Sequence, residues 1–298
     1  MILVTGAAGK TGRAVVRALV ARGERVRALV FRAEQAVALN PLGPSDVVVA
    51  DMSNAAALAA AMRGTATVYF ICPNMHPDEH ELGRLAVEAA SSAGVDRFVY
   101  HSVMLPRVRE MPHHWQKHLV EEELVRSGLD HVILQPCAYM QNVQAGIRRI
   151  VDDGQYTVPY STRTRLSVVD LDDVAEAAAI VLSSPGHTAK TYELCGPQAL
   201  SQEDVACALT AELGRPVRAT TVVRAEWASL ARTAGLGDYA IESLLRMFDY
   251  YEREGFCGDP TELEALLGRP ATPFSEVVRK IFRDRGLAAA EHRRSSHA

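Results

Sequence analysis

Residues 2–20 read Ile2-Leu3-Val4-Thr5-Gly6-Ala7-Ala8-Gly9-Lys10-Thr11-Gly12-Arg13-Ala14-Val15-Val16-Arg17-Ala18-Leu19-Val20, and this stretch decides the fold. Ile2 to Thr5 is a short apolar run that reads as a buried strand. From Arg13 to Arg22 the apolar residues Val15, Val16, Leu19 and Val20 recur at helical spacing, and Gly23 stops the helix. Between the two lie glycines at GxxGxxG spacing. Gly6 permits a tight turn off the strand. Gly9 lets the backbone approach a pyrophosphate with no Cβ in the way, and Gly12 lets the helix press close on the strand. The helix N-terminus then offers free N–H groups and a positive dipole end to phosphates. A glycine pattern by itself is a weak signal; a strand before it and a helix after it make it specific. A P-loop is not expected. Gly9-Lys10-Thr11 spells GKT, but no glycine stands five residues before Gly9.

Working outward, Arg25 to Phe31 and Val47 to Val49 read as strands, and a short helix closes at Leu58 to Met62. Thr67 to Ile71 is a fourth strand, Glu81 to Ala93 a helix, Arg97 to His101 a fifth strand, Trp115 to Arg126 a helix and His131 to Leu134 a sixth strand. Strands rich in Val, Ile and Leu alternating with helices predict a parallel sheet covered on both faces. Right-handed crossovers make it a doubly wound α/β Rossmann domain. The pattern changes after about residue 135. Short strands follow at Tyr156 to Tyr160, Leu166 to Val169, Thr191 to Leu194 and 217–223, with helices at Val174 to Leu182, 202–213, 225–234 and 239–253. The expected division is a nucleotide-binding domain over 1–150, with segments of about 165–195 returning to it, and a smaller α/β C-terminal lobe mainly over 151–298. The polar tail Glu291 to Ala298 is expected to fray.

The chain has 298 residues, 48% hydrophobic and 23% charged, which suits a globular core. The net charge of −4 and the lack of a long basic run argue against direct nucleic-acid binding. No apolar stretch has membrane-spanning length, and no basic leader or cleavage site follows Met1. A cytoplasmic protein, monomeric or homodimeric, with a small-molecule substrate is expected. The five cysteines, Cys72, Cys137, Cys195, Cys207 and Cys257, form no CxxC pair and read as small buried hydrophobes. His76 with His80, and His114 with His118, stand at i,i+4, but no third ligand joins either pair and no metal site is expected.

The end of the second strand chooses the nucleotide. NAD sites carry an acid there, whereas this strand ends Val30-Phe31-Arg32. A guanidinium suits a 2′-phosphate, so NADP(H) is the expected cofactor. Asp51 ends the third strand, to meet the adenine amino group or to cap the next helix. The expected cofactor contacts are Thr5, Gly6, Ala8, Gly9, Lys10, Thr11 and Gly12 on the loop, Arg32, Asp51, and Ile71-Cys72-Pro73 after the fourth strand.

Several stretches together resemble the NmrA-like branch of the atypical short-chain dehydrogenases. They are VTGAAGKTG, RVRALVFR, RFVYHSV and HHWQKHLVEEELVRSGLDHVILQPCAYMQN, followed by VVDLDDVAEAAAIVL, TYELCGPQALSQEDVA and LLGRPATPF. The likeness covers nearly the whole chain in order. It implies a Rossmann domain with a small C-terminal lobe and NADP(H) binding. Some members reduce quinones, dyes, or plant isoflavones and ethers; others bind the nucleotide as redox sensors without turnover. Many members lack a Tyr-x-x-x-Lys pair, and so does this chain, which has His113-His114-Trp115-Gln116-Lys117 there. His113 and Lys117 share a helix face. Lys117 is expected to bond the nicotinamide ribose and to set a positive charge near the substrate oxygen, or else to pair with Glu121 one turn on. His113 titrates near neutrality and is a candidate proton donor, or else a partly exposed residue at the helix start. His101-Ser102 stands where the family usually has Ser-Ser, so Ser102 is a candidate beside the reacting carbonyl, or a turn hydroxyl. Gln135-Pro136 replaces the usual Arg-Pro, and Pro136 is expected to pass the nicotinamide. Tyr139, Met140 and Asn142 then face the substrate cleft or pack between the lobes. The resulting expectation is an NADPH-dependent reductase of a small, quinone-like or aromatic carbonyl compound; the alternative is a sensor that binds NADP(H) and does no chemistry.

Overall fold

The Val-rich runs become short parallel strands at the centre of the molecule. The computed structural model describes residues 1–287; the tail over 291–298 lies outside the described residues. The first half of the chain runs β1 (Ile2–Val4), α1 (Lys10–Ala21), β2 (Val26–Val30), α2 (Ala33–Leu39), β3 (Asp46–Val49), α3 (Ala55–Met62), β4 (Thr67–Phe70), α4 (Glu79–Ala93), β5 (Arg97–His101), α5 (Pro112–Arg126) and β6 (His131–Pro136). It continues with β7 (Ala138–Tyr139), α6 (Ile147–Asp153), β8 (Gln155–Val158), β9 (Leu166–Val169), α7 (Leu171–Ser183), β10 (Lys190–Leu194), β11 (Ala199–Leu200) and α8 (Gln202–Leu213). It closes with β12 (Arg218–Thr221), α9 (Arg224–Thr233), α10 (Asp238–Glu254), α11 (Thr261–Leu267) and α12 (Phe274–Asp284).

The main sheet has strand order β10-β6-β5-β4-β1-β2-β3, and every pair in it is parallel. This is the doubly wound Rossmann arrangement, extended at one edge by β10. The strand order reverses between β1 and β4, and such a switch point opens a crevice beyond the carboxyl ends of the strands. Side chains alternate between the two faces. Val4, Tyr69 and Val99 join Val15, Leu19, Val174 and Ala178 beneath α1 and α7. Leu3, Val68, Phe70 and Tyr100 join Leu58, Leu82 and Val120 beneath α3, α4 and α5. Each fully buried Val, Leu or Phe contributes about 1.5–3 kcal/mol to holding these layers together. A third cluster, with Met140, Ile150, Leu209, Phe274, Val278 and Phe282, fills the smaller lobe between α6, α8 and α12. Small sheets β11-β9-β7 and β12-β8 accompany it.

The structure departs from expectation in three places. α1 begins at Lys10, one turn before Arg13, because Gly9 is already the N-cap. The residues read as loop are thus the helix's first turn. α2, α6, α11 and α12 were not foreseen as helices. Cys207 and Cys257 are exposed, unlike Cys72, Cys137 and Cys195, because they lie on the outer face of α8 and in the loop after α10. Among the described residues no helix is long and apolar enough to cross a membrane.

Candidate functional site

Thr5 ties the two strands that flank the switch point. Its Oγ1 donates to the carbonyl of Ile71 at 2.9 Å and accepts from the Ile71 N–H at 2.9 Å. Gly6 then turns with φ +54°, in the left-handed region. A Cβ on Gly12 would stand 2.3 Å from the Gly6 carbonyl oxygen and 2.7 Å from the Ala7 Cα, so this glycine is what lets α1 lie on the loop. Gly9 differs: its backbone is extended, with φ −70° and ψ 168°. A Cβ there would meet only the Gly6 oxygen, at 3.2 Å. Among the described residues no side chain caps α1, and no acid sits in its first turn. N–H groups of the first turn have no intrahelical partner, and the dipole end is positive. Uncapped donors, no competing carboxylate and a bare Gly9 are what a pyrophosphate requires, so the loop fits a dinucleotide.

Arg32 is exposed just beyond β2, and no ion pair engages its guanidinium among the described residues. Gln35 Oε1 accepts the N–H groups of Phe31 and Arg32, both at 3.0 Å, and fixes the strand end. The arginine is therefore free for an anion such as a 2′-phosphate. Asp51 does not cap α3. The cap is Asn54, which accepts from the Ala57 N–H at 3.0 Å. Asp51 instead accepts from the Ser53 N–H at 2.9 Å, a bond that lowers its carboxyl pKa, and its side chain stays exposed. Cys72 is buried after β4 and Pro73 is exposed beside it. Pro136 is buried at the end of β6, opposite Leu194 of β10.

The loop after β6 folds back onto the first turn of α1. Lys10 Nζ donates to Asn142 Oδ1 at 3.1 Å and lies 5.5 Å from the Tyr139 ring centroid. Thr11 Oγ1 donates to the Tyr139 hydroxyl oxygen at 3.4 Å. The same hydroxyl is 2.8 Å from His101 Nε2, and the Tyr69 hydroxyl is 2.5 Å from His101 Nδ1. The structure thus brings together Lys10, Thr11, Tyr139 and Asn142, and adds His101 and Tyr69, which were not foreseen as site residues. A tyrosine inside a buried strand must find a partner for its hydroxyl, and that was the available signal for Tyr69.

Lys117 lies on the other face of the sheet and is only 6% exposed. It does not pair with Glu121. Its Nζ donates to Glu79 Oε1 at 2.6 Å and to the His101 carbonyl at 3.0 Å. The Tyr100 hydroxyl also donates to Glu79 Oε1, at 3.2 Å. Burial works to raise the Glu79 carboxyl, but the Lys117 ammonium and His113 outweigh it and hold the carboxyl down at about 2. Two of the three ammonium donors are engaged here.

Three expected site residues are placed differently. His113 is buried, not half-open, with Nδ1 3.4 Å from Glu79 Oε2. Burial lowers its pKa despite that carboxylate, so it is not poised to give up a proton at neutral pH. Ser102 faces α5 because it alternates with His101; its Oγ donates to Glu121 Oε1 at 2.5 Å, which also accepts from Gln135 Nε2 at 2.8 Å. It therefore sits away from the Tyr139 face. Met140 is 1% exposed and packs with Val143, Ile147 and Phe274 in the smaller lobe, not in a cleft.

The buried histidines carry a pH consequence. Burial pushes His101 and His114 down to about 3. The unfolded chain takes up those protons near pH 6.5, the folded chain only near pH 3, so stability falls as pH drops below about 6.5. His114 contacts Phe256, and among the described residues its Nε2 has no hydrogen-bond partner. His114→Phe is expected to remove one such proton. Between pH 7 and 5 it should lose about 2 kcal/mol less stability than the unmutated protein, measured by urea unfolding. Parallel losses in the two proteins would contradict this.

Comparison with known proteins agrees with the geometry. A model of the NmrA-like family matches residues 1–276. The chain is 30% identical to the NAD(P)H azoreductase of Xenophilus azovorans, over 94% of this chain and 97% of that protein. It is 27% identical to quinone oxidoreductase 2 of Escherichia coli, over 95% and 99% of the two chains. The crystal structure of the E. coli NADPH-dependent quinone oxidoreductase complexed with NADPH superposes with a TM-score of 0.84, covering 95% of this chain and 100% of that one. The Citrobacter sp. triphenylmethane reductase complexed with NADP(H) gives 0.83, at 25% identity over 94% and 99% of the chains.

Proposed function

The chain belongs to the NmrA-like family, and from that footing we propose that it is an NADPH-dependent oxidoreductase acting on a small quinone-like or aromatic carbonyl compound. The observation that carries this reading is the uncapped first turn of α1 behind Gly9, placed at the switch point of the sheet. Thr5, Gly6, Ala8, Gly9, Lys10, Thr11 and Gly12 would hold the pyrophosphate. Arg32 would take the 2′-phosphate, Asp51 the adenine amino group, and Ile71, Cys72, Pro73 and Pro136 would flank the nicotinamide half. The nucleotide supplies the hydride. The third N–H of Lys117 would be left for a ribose hydroxyl, and its charge would act on the acceptor from beneath β5. Tyr139 and Asn142 would face the acceptor, with the segments beyond residue 150 shaping its pocket. Relatives named for azo compounds, quinones and triphenylmethane dyes support a conjugated acceptor.

The test follows the loss of reduced-nicotinamide absorbance with a panel of quinones, azo and triphenylmethane dyes, aldehydes and ketones. Turnover with conjugated acceptors is expected. Tight NADPH binding with no oxidation by any of them would favour the sensor role instead. Arg32→Ala should weaken NADPH binding by about 1.5–3 kcal/mol, the worth of a charge-assisted contact, and leave NADH binding nearly unchanged. Calorimetric titration checks this, and equal affinity of the unmutated protein for both nucleotides would defeat it.

A further inference from the structure

We propose that Tyr139 is the proton donor of the reaction, aimed toward the glycine loop by the hydrogen-bonded line Tyr69–His101–Tyr139. This rests on the reductase reading above. His101 is 6% exposed and kept neutral by burial and the nearby Lys117, so its ring carries one N–H and one lone pair. The Tyr69 hydroxyl is fully buried, and His101 Nδ1 is its one hydrogen-bond partner among the described residues. A buried hydroxyl hydrogen without an acceptor is costly. Tyr69 must therefore donate to Nδ1, which leaves the ring hydrogen on Nε2. Nε2–H then donates to the Tyr139 oxygen, 2.8 Å away. Thr11 Oγ1 is the other neighbour of that oxygen, at 3.4 Å in the first turn of α1. With the His101 side occupied by an incoming donor, the Tyr139 hydrogen is directed outward. Tyr139 is also the member of the line that is partly exposed, while His101 and Tyr69 are buried. Burial raises the Tyr139 phenol above its ordinary pKa, so it carries its proton at neutral pH, and the Lys10 ammonium lies 5.5 Å from the ring centroid. His101 and Tyr69 are positioning residues.

The step balances simply. A neutral carbonyl acceptor gains a hydride, with its electron pair, at one atom and is left with an anionic oxygen. The Tyr139 O–H bond breaks and a new O–H bond forms on that oxygen. The electron pair left on Tyr139 is held by His101 Nε2–H and the Thr11 hydroxyl, and a proton from water restores the phenol after product leaves.

A cationic triphenylmethane dye provides the control, because a hydride alone turns it into its neutral reduced form and no proton is consumed. Tyr139→Phe should bind NADPH as the unmutated protein does, read from the fluorescence of the bound nucleotide. It should slow single-turnover reduction of a quinone or aromatic ketone by about a hundredfold, the lower end for a lost acid–base group, and leave dye reduction within a few-fold. Equal slowing with both acceptors would overturn the donor assignment and leave the reductase reading intact. If the unmutated protein reduces neither acceptor, the reductase reading fails and this inference with it. A second readout needs no turnover. Nitrogen-15 spectra of the nucleotide-free protein should show His101 as the Nε2–H tautomer, and Tyr69→Phe should release that preference. A Nδ1–H tautomer in the unmutated protein would overturn the proposed line.

Discussion

Lys117→Met is expected to cost the protein both rate and stability, and adding Glu79→Gln is expected to return only the stability. The single variant keeps the aliphatic stem and removes the ammonium that lies 2.6 Å from Glu79 Oε1. Glu79 is wholly buried, so an uncompensated carboxylate remains, and breaking a buried pair this way costs about 3–5 kcal/mol. A glutamine in its place carries no charge and still accepts from Tyr100, so the double variant should recover most of that loss. Turnover should behave otherwise. If the ammonium stabilises charge on the acceptor, both variants should fall roughly a hundredfold with little change in NADPH affinity. Urea unfolding and single-turnover oxidation of bound NADPH separate the two effects. Full activity in the double variant would mean that Lys117 serves only to neutralise Glu79.

The pH dependence gives the same pair a second signature. The folded Glu79 carboxyl lies at about 2, below its ordinary 4.5, so its contribution is present above about pH 4.5 and is lost as pH falls toward 2. That contribution is about 3 kcal/mol. Without Lys117, burial acts with less opposition and lifts the carboxyl. The sign then reverses, and the stability gap between Lys117→Met and the unmutated protein should narrow as pH falls from 7.

The glycine loop was legible because its demands fall on the backbone. A left-handed turn at Gly6 and a close helix–loop contact at Gly12 call for glycine, and glycine is visible in a sequence. The place of Arg32 was legible for a similar reason: it follows a strand whose apolar run is unmistakable. The polar contacts at the far end were not legible, because they join residues distant in sequence. Glu79 stands 38 residues before Lys117, in a polar stretch just before the helix read from Glu81. Only the parallel crossover places it beneath β5. The Tyr69–His101 and His101–Tyr139 contacts span 32 and 38 residues. Ser102 was misplaced by one step of alternation, since the neighbour of a residue in an extended chain points the other way, and Met140 because it opens a 3-10 helix that turns it into the smaller lobe. α12 is a different matter. Phe274, Val277, Val278, Ile281 and Phe282 follow the i, i+3, i+4, i+7, i+8 pattern of a buried helix face, and that signal was present but unread.

Gly9→Val and Gly12→Val are expected to fail in opposite ways. Gly9 has extended backbone angles that any residue adopts, and a Cβ there meets only one carbonyl oxygen, at 3.2 Å. The variant should therefore stay folded, with a stability change within about 1–2 kcal/mol, the range for modest crowding. If the pyrophosphate lies against this loop, the branched side chain would block its approach, and NADPH affinity should fall by more than a hundredfold, about 3 kcal/mol. Gly12 faces backbone instead. A Cβ would lie 2.3 Å from the Gly6 oxygen and 2.7 Å from the Ala7 Cα, atoms that no rotamer change can move. α1 would have to lift from β1 and β4, carrying Val15 and Leu19 out of the layer they share with α7. Gly12→Val should thus lose about 3 kcal/mol or more of stability, the scale of overpacking a tight core. Circular dichroism through urea unfolding, paired with calorimetric NADPH titration, reads both variants. Near-normal NADPH binding by a folded Gly9→Val protein would remove the pyrophosphate from this loop. Unchanged stability in Gly12→Val would show that the helix does not rest on the glycine turn.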